Sequence, residues 1–118
     1  MVSERLVANA GYAAEFLALV GNEKRLLMLF HLAEGELAVG DLAKRVGLSQ
    51  SALSQHLARL RRLDIVARRR DRQNVYYSCK SKLAREILDL LLGLIATDKL
   101  PSERLQNDDE GTRRSKAA

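Results

Sequence analysis

The segment from Val39 to Leu63, VGDLAKRVGLSQSALSQHLARLRRL, constrains the fold of this 118-residue chain more than any other segment does. Apolar residues recur there at helical spacing in two short runs, which lie on either side of the turn Gly47-Leu48-Ser49. Glycine at position 47 can adopt the left-handed conformation that ends a helix, and serine at position 49 can cap the next helix. Two amphipathic helices joined by so short a turn predict a helix-turn-helix.

The second helix of this motif has an uncharged polar face opposite its apolar one. Its apolar face carries Leu53, Leu57 and Leu60. Its polar face lies in the N-terminal half, where a recognition helix meets base edges, and comprises Gln50, Ser51, Ser54 and Gln55. We predict that these four residues read bases in the major groove, where glutamine can pair bidentately with adenine.

Positive charge is concentrated directly after this face. Residues 59–85 contain ten lysines and arginines against two aspartates, a local charge of +8 in a chain whose total is +5. Such a run is either a solvated face that only maintains solubility or a surface that neutralises phosphates, and its position beside a helix-turn-helix favours phosphates. Arg59 and Arg62 are the predicted backbone contacts. His56 either contacts a phosphate too or packs against the first helix of the motif.

A β-hairpin is predicted after the second helix of the motif. Two short β-prone runs, at 65–67 and 75–77, flank a polar turn at 71–74. The residues projecting from the tip of this wing, toward a minor groove or the sugar-phosphate backbone, are Arg70, Arg72, Gln73 and Asn74. Since successive side chains of a strand point to opposite faces, one of Tyr76 and Tyr77 is expected in the core and the other nearer solvent.

Further helices are predicted at 4–20, 23–33 and 81–97, and residues 36–38 form either a short strand or an extended link. The first helix has an apolar stripe of Leu6, Ala10, Ala13, Ala14, Leu17 and Val20. The last helix is apolar around more than half its circumference, so it is either sunk into its own domain or paired with a second chain. We predict a homodimer, because two-fold pairing places two recognition helices one DNA turn apart. The predicted interface consists of Leu6, Ala10, Leu17, Leu83, Ile87, Leu90, Leu91 and Leu94.

Length and composition predict one domain, at 1–100, followed by a disordered tail at 101–118 whose charges cancel. No apolar run approaches the ~20 residues that span a membrane, and the N-terminus lacks a signal-peptide pattern. Cys79 is the only cysteine, which excludes an internal disulfide and fits a reducing cytoplasm. The sequence has neither a glycine-rich phosphate loop nor a recognisable nucleophile–base–acid set, so we expect no enzyme.

The order of these elements resembles the ArsR/SmtB family of small dimeric winged-helix repressors over about residues 12–96. The resemblance is carried by NEKRL at 22–26, ELAVGDL at 36–42, LSQSALSQHL at 48–57 and VYY at 75–77. Within the family, SQSALSQHL and the arginine-rich wing are most similar to the nodulation-gene repressor type. The resemblance implies a mainly α (α+β) winged helix-turn-helix that dimerises through its first and last helices and represses transcription from double-stranded DNA.

The chain departs from the metal-sensing members of that family. Where arsenic-, cadmium- and lead-type sensors carry cysteines in the ELxVxDL segment, this chain has Ala38 and Gly40. Zinc- and nickel-type sites use histidine with acidic ligands on the final helix, and this final helix has no histidine. We therefore expect no metal and no cofactor. Two alternatives stay open: a repressor that responds to a metal or redox signal, and a winged helix that serves as a protein-interaction module.

Overall fold

The computed structural model describes residues 2–100, and the predicted tail at 101–118 lies outside the described residues. The elements in chain order are α1 Glu4–Val20, α2 Glu23–Glu34, β1 Leu37–Ala38, α3 Val39–Val46, α4 Gln50–Arg62, β2 Val66–Asp71, β3 Asn74–Cys79 and α5 Lys82–Ala96. The chain divides into two compact units, one up to Leu88 and one from Asp89 onward, and α5 contributes residues to both. Within the described residues, no helix is both long and apolar enough to cross a membrane.

The helix-turn-helix is formed by α3 and α4, as the sequence predicts. α3 ends at Gly47, whose φ of 73° is left-handed and whose amide donates to the carbonyls of Ala43 and Lys44. The hydroxyl of Ser49 accepts a hydrogen bond from the amide of Ala52 at 3.1 Å and so caps α4. The turn chemistry therefore fixes where one helix stops and where the next begins.

One face of α4 forms part of the hydrophobic core. Leu53, Leu57 and Leu60 are fully buried, and each such leucine stabilises the fold by about 1.5–3 kcal/mol relative to an exposed one. The other fully buried large side chains are Met28, Leu29, Leu32, Leu42 and Ile65. Because its leucines are fixed in this core, α4 presents its opposite face to solvent.

The residues that α1 buries in this chain are mostly not those of its apolar stripe, of which Leu6, Ala10 and Leu17 are predicted dimer contacts. Of the six predicted residues only Val20 is buried, and the side chains that join it in the core are Phe16 and Leu19. The reason is that α1 buries only residues of its C-terminal part, whereas the stripe follows small and apolar residues along the whole helix. The N-terminal part of α1 is exposed.

The wing is the two-stranded part of a three-stranded antiparallel sheet with the order β1-β3-β2. The segment at 36–38 thus contains a strand, in which Leu37 lies opposite Tyr77. The turn of the hairpin is shorter than predicted and consists of Arg72 and Gln73, with Arg72 left-handed at φ 61°. Arg70 lies within β2 opposite Val75, and Asn74 opens β3, so neither belongs to the turn itself.

Two other features of the wing and its surroundings bear on the site. Tyr77 is buried and Tyr76 is half-buried, which confirms the predicted division between the two tyrosines. At the start of α5, Arg85 donates hydrogen bonds to the carbonyl of Cys79 at 2.7 Å and to that of Ala33 at 3.3 Å. Arg85 therefore connects the end of the wing to α2.

Candidate nucleic-acid interface

The polar face of α4, namely Gln50, Ser51, Ser54 and Gln55, is exposed at all four positions. Because the leucines of the same helix are buried, these side chains share one solvent-facing side of its first half. Gln50 lies next to Gly40 of α3, since a Cβ at position 40 would be in ordinary van der Waals contact, at 3.5 Å, with the Gln50 side-chain nitrogen. The polar face offers hydrogen-bond donors and acceptors without charge, which suits contact with base edges.

Most arginines around this face have no carboxylate partner among the described residues. The two ion pairs recorded there are Arg69 with Glu36 and Lys80 with Asp64. The exposed side chains include those of Arg59, Arg62, Arg70 and Arg72, together with Gln73 and Asn74 of the wing. Uncompensated positive charge of this density attracts phosphates.

Arg69 differs from its neighbours in the wing, and the sequence did not indicate this. Its guanidinium donates to both carboxylate oxygens of Glu36, at 2.8 and 3.0 Å, and lies 4.7 Å from the centre of the Tyr76 ring. The hydrogen bond from Arg69 lowers the pKa of Glu36, and the same contact raises the pKa of Arg69. Arg69 therefore joins the wing to the residue before β1. The only sequence signal was a glutamate beside a strand, which specifies no partner.

His56 is in contact with Arg25 of α2. It is half-buried, and its Nδ1 lies 3.2 Å from Nη1 of Arg25. Burial lowers the pKa of His56, and the positive charges of Arg25 and Arg59 lower it further. The surroundings of this side chain therefore favour its neutral form.

The predicted dimer residues fall into an exposed and a half-buried group. The exposed ones are Leu6, Ala10, Leu17, Leu83 and Leu90, and the half-buried ones are Ile87, Leu91 and Leu94. Within the first compact unit, an apolar groove of about 280 Å³ runs between α1 and the start of α5, and Tyr12, Leu17, Leu83 and Ile87 line it. Apolar side chains exposed next to one another in this way mark an interaction surface.

No three His, Cys, Asp or Glu side chains among residues 2–100 lie close enough together to hold a metal ion. Cys79 is 3% exposed, and burial raises the pKa of its thiol, so the less reactive protonated form is favoured.

Residues 22–68, which include α2, the helix-turn-helix and the start of the wing, match the model of the bacterial regulatory protein arsR family. The chain is 50% identical over 90 residues to the nodulation protein NolR of Rhizobium meliloti, an alignment that covers 76% of this chain and 74% of that protein. The chain belongs to the arsR family of bacterial regulatory proteins.

Two further proteins are similar to this arsR-family chain, one in sequence and one in solved structure. The transcriptional activator HlyU of Vibrio cholerae is 42% identical over 88 residues, which are 75% of this chain and 82% of that one. The crystal structure of NolR from Sinorhizobium fredii matches with a TM-score of 0.73 and 48% identity, over 80% of this chain and 94% of that one. The predicted family and its winged helix-turn-helix fold are confirmed, and the chain belongs with DNA-binding transcriptional regulators, not with enzymes.

Proposed function

We propose that this regulator is a homodimeric repressor that binds a pseudo-palindromic operator in the cytoplasm and needs no metal to do so. The observation that carries the proposal is the juxtaposition of the exposed polar face of α4 with arginines that lack carboxylate partners. Gln50, Ser51, Ser54 and Gln55 read bases in the major groove. The proposed contacts to the backbone and the minor groove are Arg59, Arg62, Arg70, Arg72, Gln73 and Asn74.

The homodimer is supported by the apolar surface of α1 and of the start of α5. Leu6, Leu17 and Leu83 are each about half exposed in the single chain, at 54, 55 and 46%. Removing apolar surface from water stabilises an assembly by roughly 25 cal/mol per Å². A two-fold dimer also sets two copies of α4 against successive major grooves, which requires an operator with inverted symmetry.

Metal independence is supported by the side chains at the positions that hold ligands in metal-sensing relatives of the ArsR/SmtB type. Ala38 and Gly40 provide no donor atom, and α5 carries no histidine. A metal ion that binds the DNA-bound and the free protein equally well cannot shift the equilibrium between them.

A salt titration of binding to duplex DNA tests the proposal. We expect log K to fall linearly with log salt concentration, with a slope of about −0.9 for each phosphate neutralised. If no duplex is bound even at low salt, the domain is a protein-interaction module and the proposal is wrong. The control is the same titration with a variant in which Arg59, Arg62 and Arg70 are replaced by glutamine, for which the slope is expected to be shallower.

A further inference from the structure

One charged side chain, Arg25 near the start of α2, is buried in the described core and is only 8% exposed. Arginine is almost never fully buried unless it is paired with an acid. Among the described residues, Arg25 has no carboxylate partner. Its nearest polar contacts are two backbone carbonyls and one imidazole, so its burial calls for an explanation other than an ion pair.

The three contacts of Arg25 belong to two other helices. Nε donates to the carbonyl of Leu19 and Nη2 to that of Ala18 at 3.4 Å, both in the last turn of α1. Nη1 lies 3.2 Å from Nδ1 of His56 in α4. The guanidinium is a rigid planar fork, so holding it on α1 also fixes the direction in which it can donate to α4.

His56 follows Gln55 directly, at the edge of the polar face of α4. The buried leucines on either side, Leu53 and Leu57, hold the helix against the core but are non-directional contacts. Burial of the leucines sets which side of α4 faces solvent, and the angle-dependent hydrogen bond between Arg25 and His56 adds a directional restraint on the rotation of α4 about its own axis.

We propose that Arg25 and His56 are positioning residues, which fix the rotation of α4 and so aim its polar face at the bases. The inference rests on the proposed function, because a positioning role has meaning only if that face reads DNA. It assigns His56 to orientation of the helix, not to a phosphate contact. It also connects α1, a helix of the proposed dimer surface, to base recognition.

This arrangement depends on the protonation state of His56. Arginine can only donate, so Nδ1 of His56 must be unprotonated in order to accept. The charged groups that face the imidazole among the described residues are Arg25 of α2 and Arg59 of α4, and both oppose its protonation. A protonated imidazole would set a donor against a donor and a third positive charge beside two others.

The pH dependence follows from the direction of the shift. In the unfolded chain the pKa of His56 is close to the ordinary histidine value of about 6.5, and in the folded chain burial and the two arginines lower the pKa of His56. The unfolded state therefore takes up the proton first as the pH falls. The contact contributes fully above about pH 6.5 and is lost as the pH falls through the folded value.

The test is the ratio of dissociation constants for a scrambled and a matched duplex of equal length, measured with the full chain between pH 5 and pH 8 at constant salt. Circular dichroism at each pH reports whether the fold is intact. For the unsubstituted chain we expect the ratio to fall about tenfold in acid, the size expected for one hydrogen bond to a charged group. His56→Ala should give the low ratio at every pH.

His56→Asn is the matched control, since its Oδ1 can accept where Nδ1 does and has no proton to gain. It should restore the ratio of the unsubstituted chain at pH 7.5 and remove the dependence on pH. Arg25→Lys, which keeps the charge but loses the fork, should behave like His56→Ala. If Arg25→Lys unfolds, the two His56 variants decide the question without it.

Three outcomes would overturn the proposal or its foundation. A ratio that His56→Ala leaves unchanged, or one that falls in acid for His56→Asn as well, excludes the positioning role. A salt slope that becomes shallower by about 0.9 in His56→Ala makes His56 a phosphate contact instead. If the unsubstituted chain binds no duplex at any pH, the failure lies in the proposed function and not in this pair alone.

Discussion

The surface formed by α4 and the wing differs from the surface formed by α1 and the start of α5 in what it leaves exposed. The first presents arginines without carboxylate partners among the described residues, and the second presents leucines around an apolar groove. Exposed charge is well solvated, so the first surface can bind and release its ligand as salt changes. Exposed apolar area is costly in water, so the second surface favours a lasting partner. A single substitution should therefore abolish dimerisation through the second surface, but only weaken DNA binding by the first.

The largest effect is expected from Leu17→Glu in the groove. A carboxylate at the centre of an apolar contact must be desolvated without a partner, so the dimer should separate into monomers. Affinity for a two-site operator should fall about 100-fold, because the two half-sites would no longer be bound by one linked pair. Light scattering after gel filtration and a DNA titration measure the two quantities.

Leu27→Glu is the matched control, because Leu27 is 38% exposed on α2 and does not line the groove. It should remain dimeric. Ile87→Glu, on the α5 side of the groove, should repeat the result for Leu17. Monomer mass combined with unchanged operator affinity would contradict the role of pairing in DNA binding.

The second effect separates base reading from phosphate binding. Gln55→Ala should cost about 1–3 kcal/mol at the preferred site and little at a scrambled one, because only the matched site offers its base partner. Arg72→Ala, at the tip of the wing, should weaken binding to both sequences more evenly. Measured on matched and scrambled duplexes, the reverse pattern would show that α4 does not provide the base contacts.

The third effect is smaller and lies within the wing itself. Arg70→Gln should make the salt slope shallower by about 0.9, the value for one phosphate contact. Arg69→Gln should leave the slope unchanged, because Arg69 is held by Glu36 and Tyr76. The two variants differ by one position and carry the same change of charge, so equal losses of slope would mean that Arg69 also binds phosphate.

The smallest effect is expected from metals. Operator affinity measured by fluorescence anisotropy should be the same with a chelator and with a modest excess of zinc, cadmium or arsenite. Cys79→Ser should not alter it either, since the thiol is buried and its pKa is raised by burial. Release of DNA by a metal in the Cys79→Ser variant would overturn metal independence.

The sequence predicted the elements well where periodicity or turn chemistry specifies them locally. The leucines of α4, the glycine at 47 and the capping serine at 49 each act within a few residues, and all three are found in their predicted roles. The sequence was less informative about which face of α1 is buried. Spacing alone did not separate residues that face this chain's core, such as Phe16, from those that stay exposed, such as Leu17.

The polar contacts between elements could not be predicted. Arg25 and His56 are 31 positions apart, and Glu36 and Arg69 are 33 apart. Such pairs leave no periodic signal, because they depend on how helices and strands meet in three dimensions. The sequence therefore identified which residues face the solvent on α4, but not the side chains that hold that helix and the wing in place.

Selection of bound sequences from a pool of random duplex DNA tests the central claim most directly, since it asks whether a paired polar face of α4 reads bases. The account predicts enrichment of an inverted repeat whose half-sites are centred about 10–10.5 base pairs apart, or a multiple of that distance. It also predicts that Gln55→Ala relaxes the preference at one symmetric pair of positions. Enrichment of an asymmetric single site, or no enrichment above the starting pool, would contradict it.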